Sequence, residues 1–269
     1  MKKNLILGVL LLAATGLSAQ MYVGLGVGYH MAAQKVVLGT SYNSAGDATN
    51  IYGSQGKGII PALKFGYMID DNWGLEFGLS YLMGPDQVME EDFEAPAAGI
   101  TNYSDVTKSK SSMIRLTPQL VFNSELGIYS RFGLIMPLGG KTTGTRDVSY
   151  TAGPSSSKTN IGATYKGSFG TGIAGAIGYK HEINDDMDFF AELEFIGLTL
   201  YGKSSTVTKY NVNDADKLAD LKTIEKETTY VDVVLATDNT DVNVAQKALK
   251  TSSNYSSFGI NVGVTYKLK

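Results

Sequence analysis

The sequence predicts an all-β fold, an eight-stranded antiparallel up-and-down barrel, and three observations predict it. Eight runs alternate large apolar residues with small or polar ones at a period of two, which is the alternation of a strand. The clearest runs reach the ~9–11 residues that a tilted strand needs to cross a bilayer. Three short turns alternate with four long connections, as short periplasmic turns alternate with long extracellular loops in transmembrane barrels.

The clearest element is a predicted hairpin from Ile59 to Met83, with a tight turn at Asp70-Asp71-Asn72. One face of its two runs is large and apolar, and the other is small with one Lys and one Glu. The apolar face is formed by Leu63, Phe65, Tyr67, Ile69, Trp73, Leu75, Phe77, Leu79, Tyr81 and Met83. If this hairpin lies in lipid, the rest of the chain has to close a barrel around it, because lipid does not tolerate an open sheet edge.

The other six strands show the same alternation. They are predicted at about Gln20 to Met31, Met113 to Phe122, Ile128 to Met136, Ser168 to Lys180, Phe189 to Phe195 and Ser257 to Leu268. The alternation of the seventh strand blurs after Ile196, which indicates a possible bulge. The two further short turns are predicted at Asn123-Ser124-Glu125 and Asn184-Asp185-Asp186.

The long connections are polar and rich in Gly, Ser and Asn, which favours loops. They follow Met31, and then span about Gly84 to Lys110, Gly139 to Ala163 and Gly202 to Ser253. The last one contains a weak helical pattern, with Asn213 or Asp214 as the cap, so that part of it is expected to fold locally. The apolar positions of that pattern are Leu218, Leu221 and Ile224.

Residues 1–19 have the order of an export signal. Lys2 and Lys3 precede an apolar run that is too short to span a membrane, and Ala19 offers a small residue before Gln20 for cleavage. The alternative is a buried N-terminal helix. We therefore predict a signal peptide at residues 1–19 and one barrel domain at residues 20–269. No later segment has 18 consecutive apolar residues, so no membrane-spanning helix is expected.

Composition excludes several classes of function. The chain has no Cys, which removes disulfides, thiol catalysis and thiolate zinc sites. Its net charge of −3 argues against a nucleic-acid partner, which requires a basic face.

The polar face of the predicted strands distinguishes a membrane barrel from a soluble lipocalin-like barrel whose apolar face points inward. A soluble barrel needs a charged outer wall, whereas this face is mostly Gly, Ala, Ser and Thr, which suits the narrow interior of eight strands. Its few charges balance, and we predict that they form an ion-pair network that plugs the lumen. The predicted network is Lys64, Glu76, Arg115, Arg131, Glu192 and Glu194. Lys180, near a turn, is expected to be a solvated rim residue.

Aromatic residues cluster near the ends of the apolar face, where amphipathic rings meet lipid headgroups. The predicted membrane-interface residues are Tyr29, Tyr67, Trp73, Tyr81, Tyr179, Phe189 and Tyr266.

Taken together, the chain resembles small eight-stranded outer-membrane β-barrels of the OmpA-like or OmpX-like type. Its Gly-rich strands and its Ser-Ala-Gln cleavage site resemble those of Bacteroidetes members. The resemblance covers nearly all of Gln20–Lys269, without the peptidoglycan-binding domain that follows the barrel in OmpA. It implies localisation in the outer membrane of a Gram-negative bacterium, with outer-membrane lipids and the barrel assembly machinery as partners. The closing strand is similar to the assembly signal of such barrels, through Phe258, Tyr266 and Leu268, although Leu268 and Lys269 stand where an aromatic end is usual.

Three patterns suggest chemistry, and none of them leads us to predict a catalytic residue, a cofactor or a metal. Residues 170–175 match the dinucleotide fingerprint, but the period of two continues where that motif needs a helix. His30 and His181 fall at opposite ends of the barrel, too far apart to share a metal. The acidic patch at Glu90, Glu91, Asp92 and Glu94 could bind divalent cations, and a solvated loop is the preferred interpretation.

The predicted function is structural or surface-exposed, in envelope integrity or adhesion, with loops free to contact an extracellular ligand. The first alternative is a narrow channel or carrier for small or apolar solutes. The second is a lipid-modifying outer-membrane enzyme that uses His30 beside loop serines.

Overall fold

The computed structural model describes residues 21–33 and 36–268. The predicted signal peptide and the residues at positions 20 and 269 lie outside this part of the chain. Within it, no helix is long and apolar enough to cross a membrane.

Strands form nearly all of the structure. They are β1 (Met21–Ala32), β2 (Val37–Tyr42), β3 (Ala48–Tyr52), β4 (Gly58–Met68), β5 (Trp73–Met83), β6 (Gln87–Asp92), β7 (Ile100–Asn123), β8 (Ile128–Ala152), β9 (Ser155–Gly167), β10 (Gly172–Asn184), β11 (Met187–Gly197), β12 (Thr199–Val212), β13 (Ala215–Asp216), β14 (Glu227–Val231), β15 (Gln246–Leu249), β16 (Ser252–Asn254) and β17 (Ser257–Leu268). Within residues 21–33 and 36–268, the helical elements are one 3₁₀ turn (Leu218–Asp220) and α1 (Thr223–Lys226).

Eight of these strands close a barrel. Antiparallel ladders join β1, β4, β5, β7, β8, β10, β11 and β17 in that order, and β17 pairs with β1 to complete the ring. The predicted fold class is confirmed. Each of the eight strands therefore has a paired neighbour on both sides, as a closed barrel requires.

The three predicted short turns are confirmed. β4 ends at Met68 and β5 begins at Trp73, β7 ends at Asn123 before β8, and β10 ends at Asn184 before β11. In the first turn the Asp70 carboxylate accepts hydrogen bonds from the backbone N–H groups of Asn72 and Trp73, at 2.9 and 2.6 Å. This is the local hydrogen bonding that makes Asp a turn residue.

The long connections differ from the prediction, because most of them are strands rather than loops. β7 and β8 pair from Asn123 and Tyr129 near the short turn to Ile100 and Ala152 far beyond the barrel. β9 extends this sheet and pairs with β12, while β2, β3 and β6 form a smaller extension beside β7. Both faces of these strands carry mostly polar residues, so their sequence shows no apolar alternation from which a strand could be predicted. The sixth strand likewise begins at Gly172, later than predicted.

The predicted local helix is partly correct. Asn213 and Asp214 do not cap a helix but form the turn between β12 and β13, with φ angles of 50° and 63°. The helical residues are the 3₁₀ turn and α1, and Lys222 precedes α1.

Large apolar side chains face outward on the barrel, and small and charged ones face inward. Phe65, Phe77, Phe132 and Leu134 expose 46, 50, 62 and 51% of their surface, whereas Arg131 exposes 4%. In the described barrel strands, the outward positions between the two rims carry no charged side chain. A soluble barrel cannot present such a wall to water, so the lipocalin-like alternative is wrong.

The predicted bulge after Ile196 is also absent. Ile196 pairs with Ser257 and Thr199 pairs with Asn254, so the register continues through Leu198. The alternation blurs in the sequence because the inward residues change character, from Glu192 and Glu194 to Ile196, Leu198 and Leu200, all of which are buried except the half-buried Glu194.

Candidate functional site

The interior of the barrel holds the molecule's densest set of buried charges, and Arg131 on β8 is at its centre. Its Nη1 donates to Oε1 of Glu76 at 2.6 Å, and its Nη2 pairs with Oε2 of Glu192. Lys64 adds a second contact to Glu192, with 3.0 Å between Nζ and Oε1. Two cations and two carboxylates are therefore bonded to one another away from water, which offsets the cost of burying them.

Neutral donors complete the shells of both carboxylates. The hydroxyl of Tyr22 donates to Glu76 at 2.7 Å, and the hydroxyl of Tyr129 donates to Glu192 at 2.6 Å. The amide of Gln119 donates to Oε1 of Glu76 at 2.8 Å, the oxygen that Arg131 also contacts, whereas Tyr22 donates to Oε2. These donors come from β1, β8 and β7, so the network links strands around the ring.

Glu194 is joined to a polar group that lies outside the predicted ion-pair network. The ring of His30 lies with Nε2 3.3 Å from Oε2 of Glu194 and 3.0 Å from Oδ1 of Asn261. Its Nδ1 is 3.1 Å from Oγ of Ser257. The Asn261 amide donates to Glu192 and Glu194, both at 2.8 Å, and connects this group to the Arg131 network. The period-two alternation places His30 and Asn261 on the inward face, so their burial in the lumen could have been predicted. Their partners could not, because the predicted network was built from charges that balance, and neutral residues do not enter that balance.

Arg115 lies apart from the predicted network. It is fully enclosed, at 2% exposure, and its Nε donates to Oγ of Ser80 at 3.2 Å. It forms no ion pair within the described part of the chain. A cavity of about 30 Å³, lined by Arg115, Arg131 and Glu194 among others, separates these groups. A cavity of that size with polar walls has room for water.

Lys180 closes the lumen at the short-turn rim. Its Nζ donates to Oδ1 of Asn123 at 3.2 Å and lies 5.1 and 4.9 Å from the ring centres of Tyr22 and Tyr129. Those distances are within reach of a cation–π contact. The side chain is half-buried rather than fully solvated.

An apolar layer fills the lumen on the long-connection side of the charges. It consists of Ile60, Leu82, Met113, Ile135, Ala174, Ile196, Leu198 and Leu200, with Tyr255 packed against it. Each of the eight is buried to 5% exposure or less. The interior therefore has two layers, one ionic and one apolar, and the second was not predicted.

The predicted interface aromatics lie on the outer wall. Tyr29 and Tyr81 expose 49 and 42% at the long-connection end, and Trp73 exposes 49% near the first short turn. Tyr179, Phe189 and Tyr266 are exposed by 51, 41 and 48%, and Tyr67 is half-buried. The rings of Trp73 and Phe122 are tilted against each other, with their centres 5.0 Å apart.

The remaining motifs are in strands. Residues 172–175 of the fingerprint-like segment belong to β10, which pairs with β8 and β11 and leads to a turn, so no helix follows it. Glu90, Glu91 and Asp92 lie on β6, and among the described residues no group of three or more His, Asp and Glu side chains is placed to hold a metal ion. Phe258, Tyr266 and Leu268 lie on β17, with the first two exposed and the third half-buried.

No known protein family and no curated protein sequence matches the chain. Among solved structures it is similar to Neisserial surface protein A, with 13% identity, a TM-score of 0.34, and coverage of 94% of this chain and 100% of that one. It is similar to Ail, the attachment invasion locus protein of Yersinia pestis, with 10% identity, a TM-score of 0.32, and coverage of 93% and 97%. It is also similar to CarO2 of Acinetobacter baumannii, with 13% identity, a TM-score of 0.36, and coverage of 93% and 99%.

Similarities this distant support no inference about activity. The molecule itself defines its architecture, through the closed ring, the uncharged apolar outer wall and the charges that are bonded inside. The chain thus has the fold of a closed eight-stranded antiparallel β-barrel with an apolar outer wall and a filled, partly charged interior.

Proposed function

We propose that this protein resides in the outer membrane of a Gram-negative bacterium, with a structural or surface-exposed role and no open pore. The observation that carries the proposal is the filled lumen. Arg131, Glu76, Glu192 and Lys64 occupy one level, and the apolar layer around Leu82 occupies the next. An ion that crossed the barrel would have to disrupt both layers.

Conductance of the purified protein in a planar bilayer tests this proposal. We expect no stable unit openings, because the ionic and apolar layers fill the lumen and the cavity beside Arg115 and Arg131 has a volume of only about 30 Å³. A wide-pore porin in the same bilayer serves as the positive control. Reproducible unit openings of the unmodified protein would overturn the plugged lumen and favour the channel alternative.

The surface-exposed part of the proposal is supported by the strands beyond the barrel. β7 and β8 have 24 and 25 residues, far more than the ~9–11 that cross a bilayer. Beyond the barrel, β9 pairs with β8 and β12 pairs with β9, which widens the outer sheet. This sheet would extend into the exterior, where an adhesion-type partner could reach it.

The enzyme alternative has one observation in its favour, since Ser257, His30 and Glu194 contact one another in the order of a hydrolytic triad. Ser257 and His30, however, are each 0% exposed. A lipid carbonyl has no route to Oγ of Ser257, so we assign these contacts to the packing of the lumen and propose no catalytic role.

Export and assembly belong to the same proposal. Residues 1–19 would be removed as a signal peptide, and β17 would be read by the barrel assembly machinery through Phe258, Tyr266 and Leu268. Mass spectrometry of the mature protein tests the first part, with Gln20 expected as the first residue. A mature chain that retains the first nineteen residues would contradict it.

A further inference from the structure

The wall of the barrel is interrupted beside β8. The ladder between β8 and β10 ends where Ile135 pairs with Gly172, and the ladder between β8 and β9 begins where Thr142 pairs with Tyr165. Between these points, residues 136–141 of β8 pair with β7 alone among the described strands. The connector from β9 to β10 passes opposite without pairing, so a lateral gap is left between them.

The sequence of β8 accounts for this interruption. Pro137 has no N–H to donate to a neighbouring strand. The register against β7 shifts between Ile114, which pairs with Gly139, and Arg115, which pairs with Pro137. Leu138 is thus the extra residue of a bulge, and a bulge bends its strand and ends regular pairing.

A cavity of about 240 Å³ lies at this gap. Its apolar lining includes Pro137, Leu138, Phe169, Leu200 and Tyr255. Leu138 and Phe169 expose 59 and 74% of their surface, while Leu200 belongs to the apolar layer of the lumen. The cavity therefore extends from the outer wall of the barrel to the apolar layer of the lumen. A second cavity of about 240 Å³, inside the outer sheet, shares Leu200 and Tyr255 with it.

The polar side of the same cavity is basic. Lys141, Lys166 and Lys203 line it, and no Asp or Glu does. All three side chains are exposed, and none forms an ion pair within the described residues. Three like charges around an apolar gap repel one another, and an anion among them would relieve that repulsion.

The gap also lies at a suitable depth. Ile114, which is exposed, pairs with Gly139, and the next outward residue of β7 toward the exterior is Ser112, which pairs with Lys141. On β7 and β8 the apolar wall therefore ends at the level of the gap, and Lys141 lies at that level. An acyl chain at this level would meet the apolar lining while its head met the lysines.

We propose that this lateral gap binds a single-chain amphiphile with an anionic carboxylate or phosphate head. Its tail occupies the space between Leu138, Phe169 and Leu200, and its head lies among Lys141, Lys166 and Lys203. The site lies beside the apolar layer and shares Leu200 with it, so that binding requires no passage through the lumen.

Binding of dodecanoate and dodecyl phosphate to the protein in phosphatidylcholine nanodiscs tests the site, with dodecanol as the uncharged comparison. We expect at least one anionic probe to bind about tenfold or more tightly than dodecanol, since each lysine near a membrane surface attracts an anion. Replacing the three lysines together (Lys141→Gln, Lys166→Gln, Lys203→Gln) should abolish that difference. The matched control replaces Lys158, Lys217 and Lys222 by Gln, which changes the charge equally and should leave binding within about twofold.

A second variant tests the apolar part. A Cβ at Gly139 would have no atom within 4 Å, so Gly139→Trp should fill the gap without loss of folding and should weaken binding of the anionic probe about tenfold or more. Leu126→Trp, at a residue that is 77% exposed in a short turn, should have no effect. Equal binding of dodecanol and the anionic probes, or no binding of any probe, would overturn the proposal. Retention of lipid A by the protein with neither anionic probe bound would assign the gap to a membrane lipid and overturn it as well.

Discussion

Arg131 is the residue on which the ionic layer depends, because among the described residues it alone contacts both Glu76 and Glu192. Its charge was predictable from the balance of inward charges in the sequence. The identity of its partners was not, since the relative heights of residues on different strands depend on register, and period-two alternation does not fix register between strands. Arg115 shows the limit, because the same reasoning placed it in the network and the structure gives it Ser80 instead.

Removal of the Arg131 guanidinium should be strongly destabilising. In Arg131→Met, two buried carboxylates lose their shared partner, and we expect a loss of about 3–5 kcal/mol in the free energy of unfolding. Urea unfolding of the protein in lipid vesicles measures it. Lys158→Met breaks an exposed ion pair with Asp214 and should change stability by no more than about 1 kcal/mol. Adding Glu76→Gln and Glu192→Gln to Arg131→Met removes the unpaired carboxylate charges and should recover part of the lost free energy of unfolding. If the triple variant recovers none of it, unpaired charge is not the cause of the loss.

Inward glycines make room for the large residues of the lumen. At Gly66 a Cβ would lie 2.0 Å from Cζ of Tyr22, whose hydroxyl is held by Glu76. Gly66→Ala should therefore displace that ring and lower the free energy of unfolding by about 1–3 kcal/mol. Gly139→Ala, where a Cβ would have no atom within 4 Å, is the matched control in the same urea titration. Equal midpoints for the two variants would contradict this account.

At the scale of elements, the barrel strands and their short turns followed from the sequence, and the outer strands did not. In the barrel one face of each strand meets an apolar environment, so the alternation is visible in Leu63, Phe65 and their neighbours. In the outer portion of β8 both faces are polar, and residues such as Thr143 and Thr145 favour strands without showing which face is which. The apolar layer was missed because Leu198 and Leu200 face inward, where a polar lumen was expected.

Surface proteolysis tests which side of the membrane holds the long connections. In intact cells, trypsin should cleave at the exposed Lys217 and Lys222, which lie outside strands and α-helix, and should leave the barrel ladders protected. Asp71→Lys places a matched site in the first short turn. That site should be cleaved only after the outer membrane is permeabilised. Its cleavage in intact cells would show that the short turns, rather than the long connections, face the exterior.

At the scale of the whole molecule, the residue types on the outer and inner faces of the barrel indicate which environment surrounds it. The outward wall is uncharged between its rims, and the charges inside are bonded to one another, so the molecule is arranged for an apolar solvent outside. The single Trp of the chain reports on this arrangement, because Trp73 is 49% exposed at one end of the wall.

Quenching of Trp73 fluorescence should therefore depend on depth. In vesicles, lipids brominated near the headgroup should quench it more than lipids brominated at mid-chain, because amphipathic rings lie at the interface. Trp73→Phe with Leu79→Trp moves the reporter toward the middle of the wall and should reverse the order. Quenching by aqueous iodide with no response to brominated lipid would contradict a membrane location.

The ladder between β1 and β17 aligns Met21 with Leu268 and continues to Ala32 and Ser257. One flank of β1 therefore has no partner strand until β17 has been synthesised, and the ring cannot close before then. The same adjacency makes the order of strands around the ring independent of where the polypeptide is cut. A circular permutant that joins residue 268 to residue 21 through a short linker and opens the chain at Asp71 would keep all eight ladders.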